Sequence, residues 1–275
     1  VRGGTIALWR NHASAQPSFR GIRDNTTVYD AANTELGTAF GPEITLARRI
    51  NCNWELEGRF YQIDGWNNDT TSTGITQFTG YHTQSRLISP TFGYSSRLYN
   101  VEMNLRWKEN ECARVPLVMG FRMIGLDDNF RLGQELQGRS ISWIDTTTNN
   151  MLYGFQIGTE PILWCYDGFQ LEGLLKTGIF SNQAHQRSRF PILQSELENW
   201  NGASSFVAET GLIGSYHWNN CWAIRGGYEV MWITNVALAP DQSTTVFYGT
   251  TPTGRIYDRA TAFYHGATVS IERRF

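Results

Sequence analysis

Nothing in these 275 residues reads as a membrane helix. No apolar run exceeds five residues, whereas a helical span needs about 20. Any membrane contact must therefore be made by strands or by a surface. Charge is scarce at 17% of residues, and 23 basic side chains nearly cancel 25 acidic ones. That balance removes the global electrostatic case for nucleic acid. GxSxG, HExxH, P-loop and dinucleotide motifs are missing, there is no CxxC pair, and the five histidines are scattered. The chain is accordingly read as a non-enzyme without metal or other cofactor. No signal peptide is visible at Val1, so either the chain is cytosolic or its numbering starts after processing, and the composition favours the second.

What is plentiful is the β vocabulary: 10 Trp, 12 Tyr, 15 Phe and 27 Gly. Aromatic residues favour strands, and the dominant pattern is alternation with a period of two. Residues 98–107 are the clearest case, setting Tyr99, Val101, Met103, Leu105 and Trp107 against Asn100, Glu102, Asn104 and Arg106. The last stretch, 263–275, sets Phe263, Ala267, Val269, Ile271 and Phe275 against Tyr264, Thr268, Ser270, Glu272 and Arg274. The same grammar marks strands near 4–10, 42–50, 54–63, 115–126, 150–163, 169–180, 205–218 and 221–234, ten in all.

The connections then alternate in length. Residues 51–53, 108–113, 165–168 and 219–221 are short links, while 11–38, 64–93, 127–149, 181–204 and 235–261 read as long loops. Two unlike ends are the mark of a transmembrane antiparallel up-and-down β-barrel, with short periplasmic turns and long extracellular loops. The expectation is one all-β domain over 1–275 of about 10 strands. Twelve become possible if 138–148 and 243–258 pair as well, though these segments can equally extend hairpins above the membrane.

Aromatic placement fits. Trp54, Trp107, Trp164, Trp218, Trp222 and Phe275 fall at strand ends on the short-turn side, where an interfacial girdle belongs. The polar faces collect charge: Glu43, Glu55, Glu57, Glu102, Glu160, Glu172, Glu209, Glu229 and Glu272 share a parity with Arg49, Arg59, Arg106, Arg122, Lys176, Arg225 and Arg274. Facing lipid, each would cost kilocalories. Facing a narrow lumen, they can pair and plug it.

Four segments resemble a known family: VMGFRMIGLDDNF (118–130), NNMLYGFQIG (149–158), GGYEVMWITNVALAPDQ (226–242) and FYHGATVSIERRF (263–275). They are similar to the planctomycete-type outer-membrane β-barrel porins, type seven. The resemblance implies an exported barrel in outer-membrane lipid whose terminal aromatic is read by the barrel-assembly machinery. The family's porin label is an inference from fold and does not establish transport.

Each of the four cysteines, Cys52, Cys112, Cys165 and Cys221, lies in one of the short turns. In an oxidising compartment they are disulfide candidates, with neighbouring turns suggesting Cys52–Cys112 and Cys165–Cys221. Turns two strands apart stand about 10 Å apart, so such pairing needs the turns to lean together. Bridges to another copy or to an envelope or cell-wall protein are the alternative.

Three functions follow. The favoured one is a structural or interaction scaffold of the cell envelope. The first alternative is a porin-like channel for small solutes. The second is an omptin-like rim protease, for which Asp64, Asp127, Asp128, His82 and His185 are the candidates. Asp127, Asp128 and Asn129 also have the makings of a calcium loop.

Overall fold

The computed structural model describes residues 1–274, apart from 12–17, 22–26, 31–34, 72–74, 78–85, 89, 109–114, 137–138, 245 and 249–250. Ten strands form the wall: β1 Arg2–Asn11, β2 Gly37–Arg49, β3 Trp54–Thr71, β4 Pro90–Trp107, β5 Leu117–Leu136, β6 Arg139–Thr159, β7 Phe169–Phe190, β8 Ser195–His217, β9 Trp222–Val236 and β10 Ala260–Arg273. Each pairs antiparallel with its neighbours, and β1 pairs with β10 from Arg2↔Glu272 to Asn11↔Phe263, which closes the barrel. One extra strand, Ile162–Tyr166, prolongs the lane of β6 beyond a break at Glu160 and Pro161 and pairs with the start of β7. Closure gives each of the ten wall strands a hydrogen-bonded neighbour on both sides over the apolar belt, as the bilayer interior demands.

The short turns have local causes. Asp167 and Gly168 both adopt positive φ, 46° and 79°, the geometry of a two-residue hairpin turn that matches strand twist. The links 51–53 and 219–221 share another device. Asn51 Oδ1 accepts from the backbone N–H groups of Asn53 and Trp54, both at 2.9 Å. Asn219 Oδ1 accepts likewise from Cys221 and Trp222, both at 2.8 Å. A side chain that satisfies two backbone donors fixes a tight reversal.

At the other end two of the expected loops are strand. Residues 127–136 and 139–149 belong to β5 and β6, whose registered ladder runs up to Arg139↔Leu136. Residues 181–204 belong to the β7–β8 hairpin, which turns in a single 3-10 segment, Pro191–Leu193. Thus 139–148 lengthens a barrel strand and adds none, and residue 138 lies outside the described residues. Within 243–258 the strands Val246–Tyr248 and Thr251–Thr253 pair, among the described residues, with each other and not with the barrel wall. Parts of the first two long connections form a small separate sheet from Ser18–Gly21, Thr27–Asp30, Ile75–Gln77 and Arg86–Ile88.

The outer face is apolar over a limited height. Gly58, Met103, Phe121, Phe155, Ile179 and Phe206 stand opposite one another across six strands. Phe155 is 75% and Ile179 74% exposed, which only a non-aqueous surrounding suits. On β3 and β4 the outward positions stay largely uncharged from Trp54 to Gln62 and from Trp107 to Tyr99, then turn to Asp64 and Arg97. A span of that length is what a tilted strand needs to cross a bilayer.

Candidate functional site

Inward-facing residues fill the barrel in two layers of opposite chemistry. Towards the short turns the filling is ionic. Arg59 Nε donates to Glu43 at 2.7 Å, Nη1 to Glu209 at 3.0 Å and Nη2 to Glu229 at 2.8 Å, with Glu102 at 3.7 Å. Arg122 reaches Glu209 at 2.5 Å and Asn100 at 2.6 Å. Lys176 sits 3.1 Å from Glu102 and 3.7 Å from Glu160. Arg106 joins Glu160 at 2.8 Å to Glu57 at 2.7 Å, and Arg2 caps Glu57 at 2.5 Å. Six carboxylates and five cations thus form one connected network. The space among Arg2, Glu57, Arg59, Arg106, Glu160 and Lys176 is about 40 Å³, room for a water or two.

Towards the loops the filling is apolar. Ile63, Trp66, Leu98, Ile124, Leu126, Leu132, Leu152 and Ile233 are fully buried in one continuous cluster. The wall alone does not complete it. At Asn235 a positive φ of 54° and a register shift turn the chain inward, and Ala237, Leu238, Ala239, Asp241 and Gln242 enter the barrel as a plug. Asn150 clamps that plug, donating to the Ala237 carbonyl and accepting from its N–H, both at 2.7 Å. Asn182 and Ser205 donate to the Asn235 carbonyl at 2.9 and 3.0 Å.

One ion pair lies inside this apolar layer. Arg10 grips Asp128 bidentately at 2.7 and 3.0 Å, and Ser96 bonds both partners. Tyr94 donates to Asp128 at 2.5 Å, and the guanidinium stacks over the Tyr94 and Tyr264 rings. The bidentate pairing, with the Ser96 and Tyr94 bonds, is what makes such a burial tolerable, although Arg10 Nε itself has no hydrogen-bond partner.

Most of the expected lumen charges take part. Glu43, Glu57, Arg59, Glu102, Arg122, Glu160, Lys176, Glu209, Arg225 and Glu229 are buried, Glu55, Arg106, Glu172 and Glu272 half-buried. Arg225 holds Glu172 at 2.5 Å. Arg49 and Arg274 are corrections, because both are exposed at the turn rim, where the wall ends. Arg274 bonds Glu272 and His217 there. Sequence parity missed Arg2, Arg10 and Asp128, which obey the same alternation at the strand beginnings and above the expected strand ends. It also missed the plug, whose only signal was the apolar VALA run inside a presumed loop.

The girdle tryptophans stand on the outer wall at the turn end. Trp54 faces Trp107 with ring centroids 6.5 Å apart, and Trp218 stacks on Trp222 at 6.4 Å. Trp164 stacks on Tyr166 at 6.0 Å. Phe275 lies outside the described residues. Among the described residues no disulfide forms: Cys52, Cys165 and Cys221 are free and exposed, and Cys112 is not described. The expected Cys165–Cys221 bridge is therefore absent, consistent with turns two strands apart on a barrel that does not bend them together.

Among the described protease candidates three aspartates lie near one another, but His185 bonds none of them. Asp128 is locked under Arg10. Asp64 pairs with Arg97 at 2.5 Å and Asp127 accepts from Asn149 at 2.8 Å, both on the outer wall. His185 Nε2 meets Glu198 at 2.9 Å and its ring stacks on Trp200 at 4.8 Å. His82 lies outside the described residues. Asp64, Asp127 and Asp128 border one open groove of about 390 Å³, shared with Asn67, Ser95, Arg97, Asn129, Thr147 and Asn149 and formed where Gly65, with φ 103°, bulges β3. Among the described residues no group of His, Cys, Asp and Glu has metal-binding geometry. On the β7–β8 hairpin Arg187 bonds Glu196 and holds its carboxyl below the usual carboxylate range.

No protein-family model matches the chain, and no curated protein sequence does. Among solved structures it is similar to the outer membrane protease OmpT of Escherichia coli, with a TM-score of 0.51, 8% identity, and 99% of this chain and 93% of that one covered. The toluene transporters TbuX of Ralstonia pickettii and TodX of Pseudomonas putida superpose more loosely. Their TM-scores are 0.39 and 0.35, at 7% and 8% identity, covering all of this chain and 89% and 68% of theirs. At such identities the likeness is one of architecture: the chain has the fold of an outer-membrane β-barrel.

Proposed function

We propose that the chain is an outer-membrane barrel of the cell envelope that serves as an anchored scaffold, and that it is related to the planctomycete-type porins of type seven without conducting as a porin. The observation that carries this reading is the double filling of the interior. An ion-pair network occupies one half and an apolar core with an inserted plug the other, and either alone would obstruct a solute. Outer-membrane lipid surrounds the apolar belt, and the barrel-assembly machinery receives the closing strand β10. The free thiols stand apart along one rim, Cys52 and Cys221 in turns and Cys165 in the extra strand just before the Asp167–Gly168 turn, so their natural partners belong to another molecule, a second copy or an envelope protein.

Solute flux tests the reading. Proteoliposomes carrying the folded barrel are expected to keep their size in an isotonic small-sugar solution, as protein-free vesicles do. Swelling at a rate set by sugar size would replace the scaffold with the channel.

A further inference from the structure

Above the apolar belt the outer wall carries an ordered row. Asp64 faces Arg97, Arg97 faces Asp127, Asp127 faces Asn149, Asn149 faces His185, and His185 faces Trp200. The pairings place six outward side chains side by side across β3 to β8. Five inter-strand steps give the row a length of about 24 Å.

Its two ends differ. At β3–β6 lies the 390 Å³ groove, bordered by carboxylates, amides and hydroxyls. At β8 stands Trp200, 68% exposed on a polar surface and stacked flat on His185, interplanar angle 17°. The row is also inclined. Counted from the last large apolar residue facing outward below it, the row lies one outward position beyond Tyr99 on β4, two beyond Phe60 on β3 and three beyond Phe206 on β8. It therefore climbs from the lipid boundary away from the membrane, as strand tilt requires.

We propose that this row binds the neutral oligosaccharide chain of a glycolipid whose lipid is embedded beside β3–β5. Paired carboxylates and amides are the groups that accept from and donate to vicinal hydroxyls. An exposed indole face held by a second ring offers a flat apolar platform to the C–H face of a sugar. A phosphorylated headgroup fits the row itself less well, because its one arginine, Arg97, is already engaged by Asp64, and the exposed Arg131 and Arg189 stand two outward positions further from the belt. The inclination selects a lipid-borne glycan over a free one, since the chain starts where headgroups lie. This site goes beyond the scaffold reading and does not depend on whether the lumen conducts.

Native mass spectrometry of the barrel, extracted in a sugar-free detergent from mixed vesicles, tests it. The vesicles hold equal parts of phosphatidylcholine, phosphatidylglycerol and a neutral glycolipid with an oligosaccharide chain. Preferential retention of the glycolipid is expected, with about a tenfold loss of that preference in Trp200→Ala. Asp127→Asn combined with Asn149→Ala should lose it too, while heat-modifiable gel mobility stays that of the folded barrel. Equal retention of the three lipids, preference for phosphatidylglycerol, or a preference unchanged in both variants would overturn the proposal. So would tighter binding of the free oligosaccharide than of the glycolipid.

Discussion

The two halves of the barrel interior solve the same problem with opposite chemistry. Near the short turns the wall sends in charged side chains, and the space is closed by ions that satisfy one another. Near the loops it sends in Trp66, Leu98, Leu126 and their neighbours, and closure needs a piece of backbone, residues 237–242, to complete the packing. The ionic half is specified residue by residue: remove one cation and several carboxylates lose their partner in a low-dielectric space. The apolar half is specified by volume, so its losses should scale with the cavity made.

The sharpest way to break the ionic half is Arg59→Ala, which strips the shared cation from Glu43, Glu209 and Glu229. A loss of about 3–5 kcal/mol is expected in urea unfolding from vesicles, since uncompensated buried charge is the costliest single change. Trp66→Ala should come close, at about 3–4 kcal/mol, through the cavity and the lost bond to the Leu8 carbonyl. If Trp66→Ala costs more than Arg59→Ala, volume and not charge dominates the whole interior. Loosening the plug is milder. Asn150→Ala leaves both polar groups of Ala237 unmet, which should cost about 1–3 kcal/mol and raise protease cleavage within 237–259 while the barrel stays folded.

The smallest effect is expected at Glu229→Gln. The network holds one carboxylate more than it has cations, and Glu229 pairs with Arg59 alone. Glutamine keeps an acceptor for Arg59 and removes a surplus charge, so stability should change by less than about 1 kcal/mol. A loss as large as that of Arg59→Ala would mean that each carboxylate is individually required. The rim thiols are a separate matter. Native envelope protein should run as larger species on non-reducing gels and collapse to one band with reductant, and unchanged mobility would remove covalent assembly.

Much of this was legible in the sequence. Alternation placed all ten strands, and its polar parity named most of the ionic half, because lipid outside and charge inside give the strongest possible contrast between faces. The same logic explains the failures. Beyond the belt both faces are polar, as at Thr146, Thr147, Thr148 and Asn149 on β6, so alternation fades and strand reads as loop. The apolar half was hidden because Leu98, Leu126 and Leu152 face inward at positions that look like strand ends. The plug depends on Asn150 meeting Ala237, 87 residues away, a contact that no local pattern records. The outer row from Asp64 to Trp200 depends on register across six strands, which periodicity does not supply, although Asp64, Asp127 and His185 were each noticed singly.

The central claim is that both halves close the lumen, and single-channel recording in a planar bilayer addresses it most directly. The folded wild-type barrel should insert without any steady open level, and should stay closed in Asn150→Ala, because the ionic half remains intact. Reproducible, ion-selective steps from the wild-type protein would contradict the account.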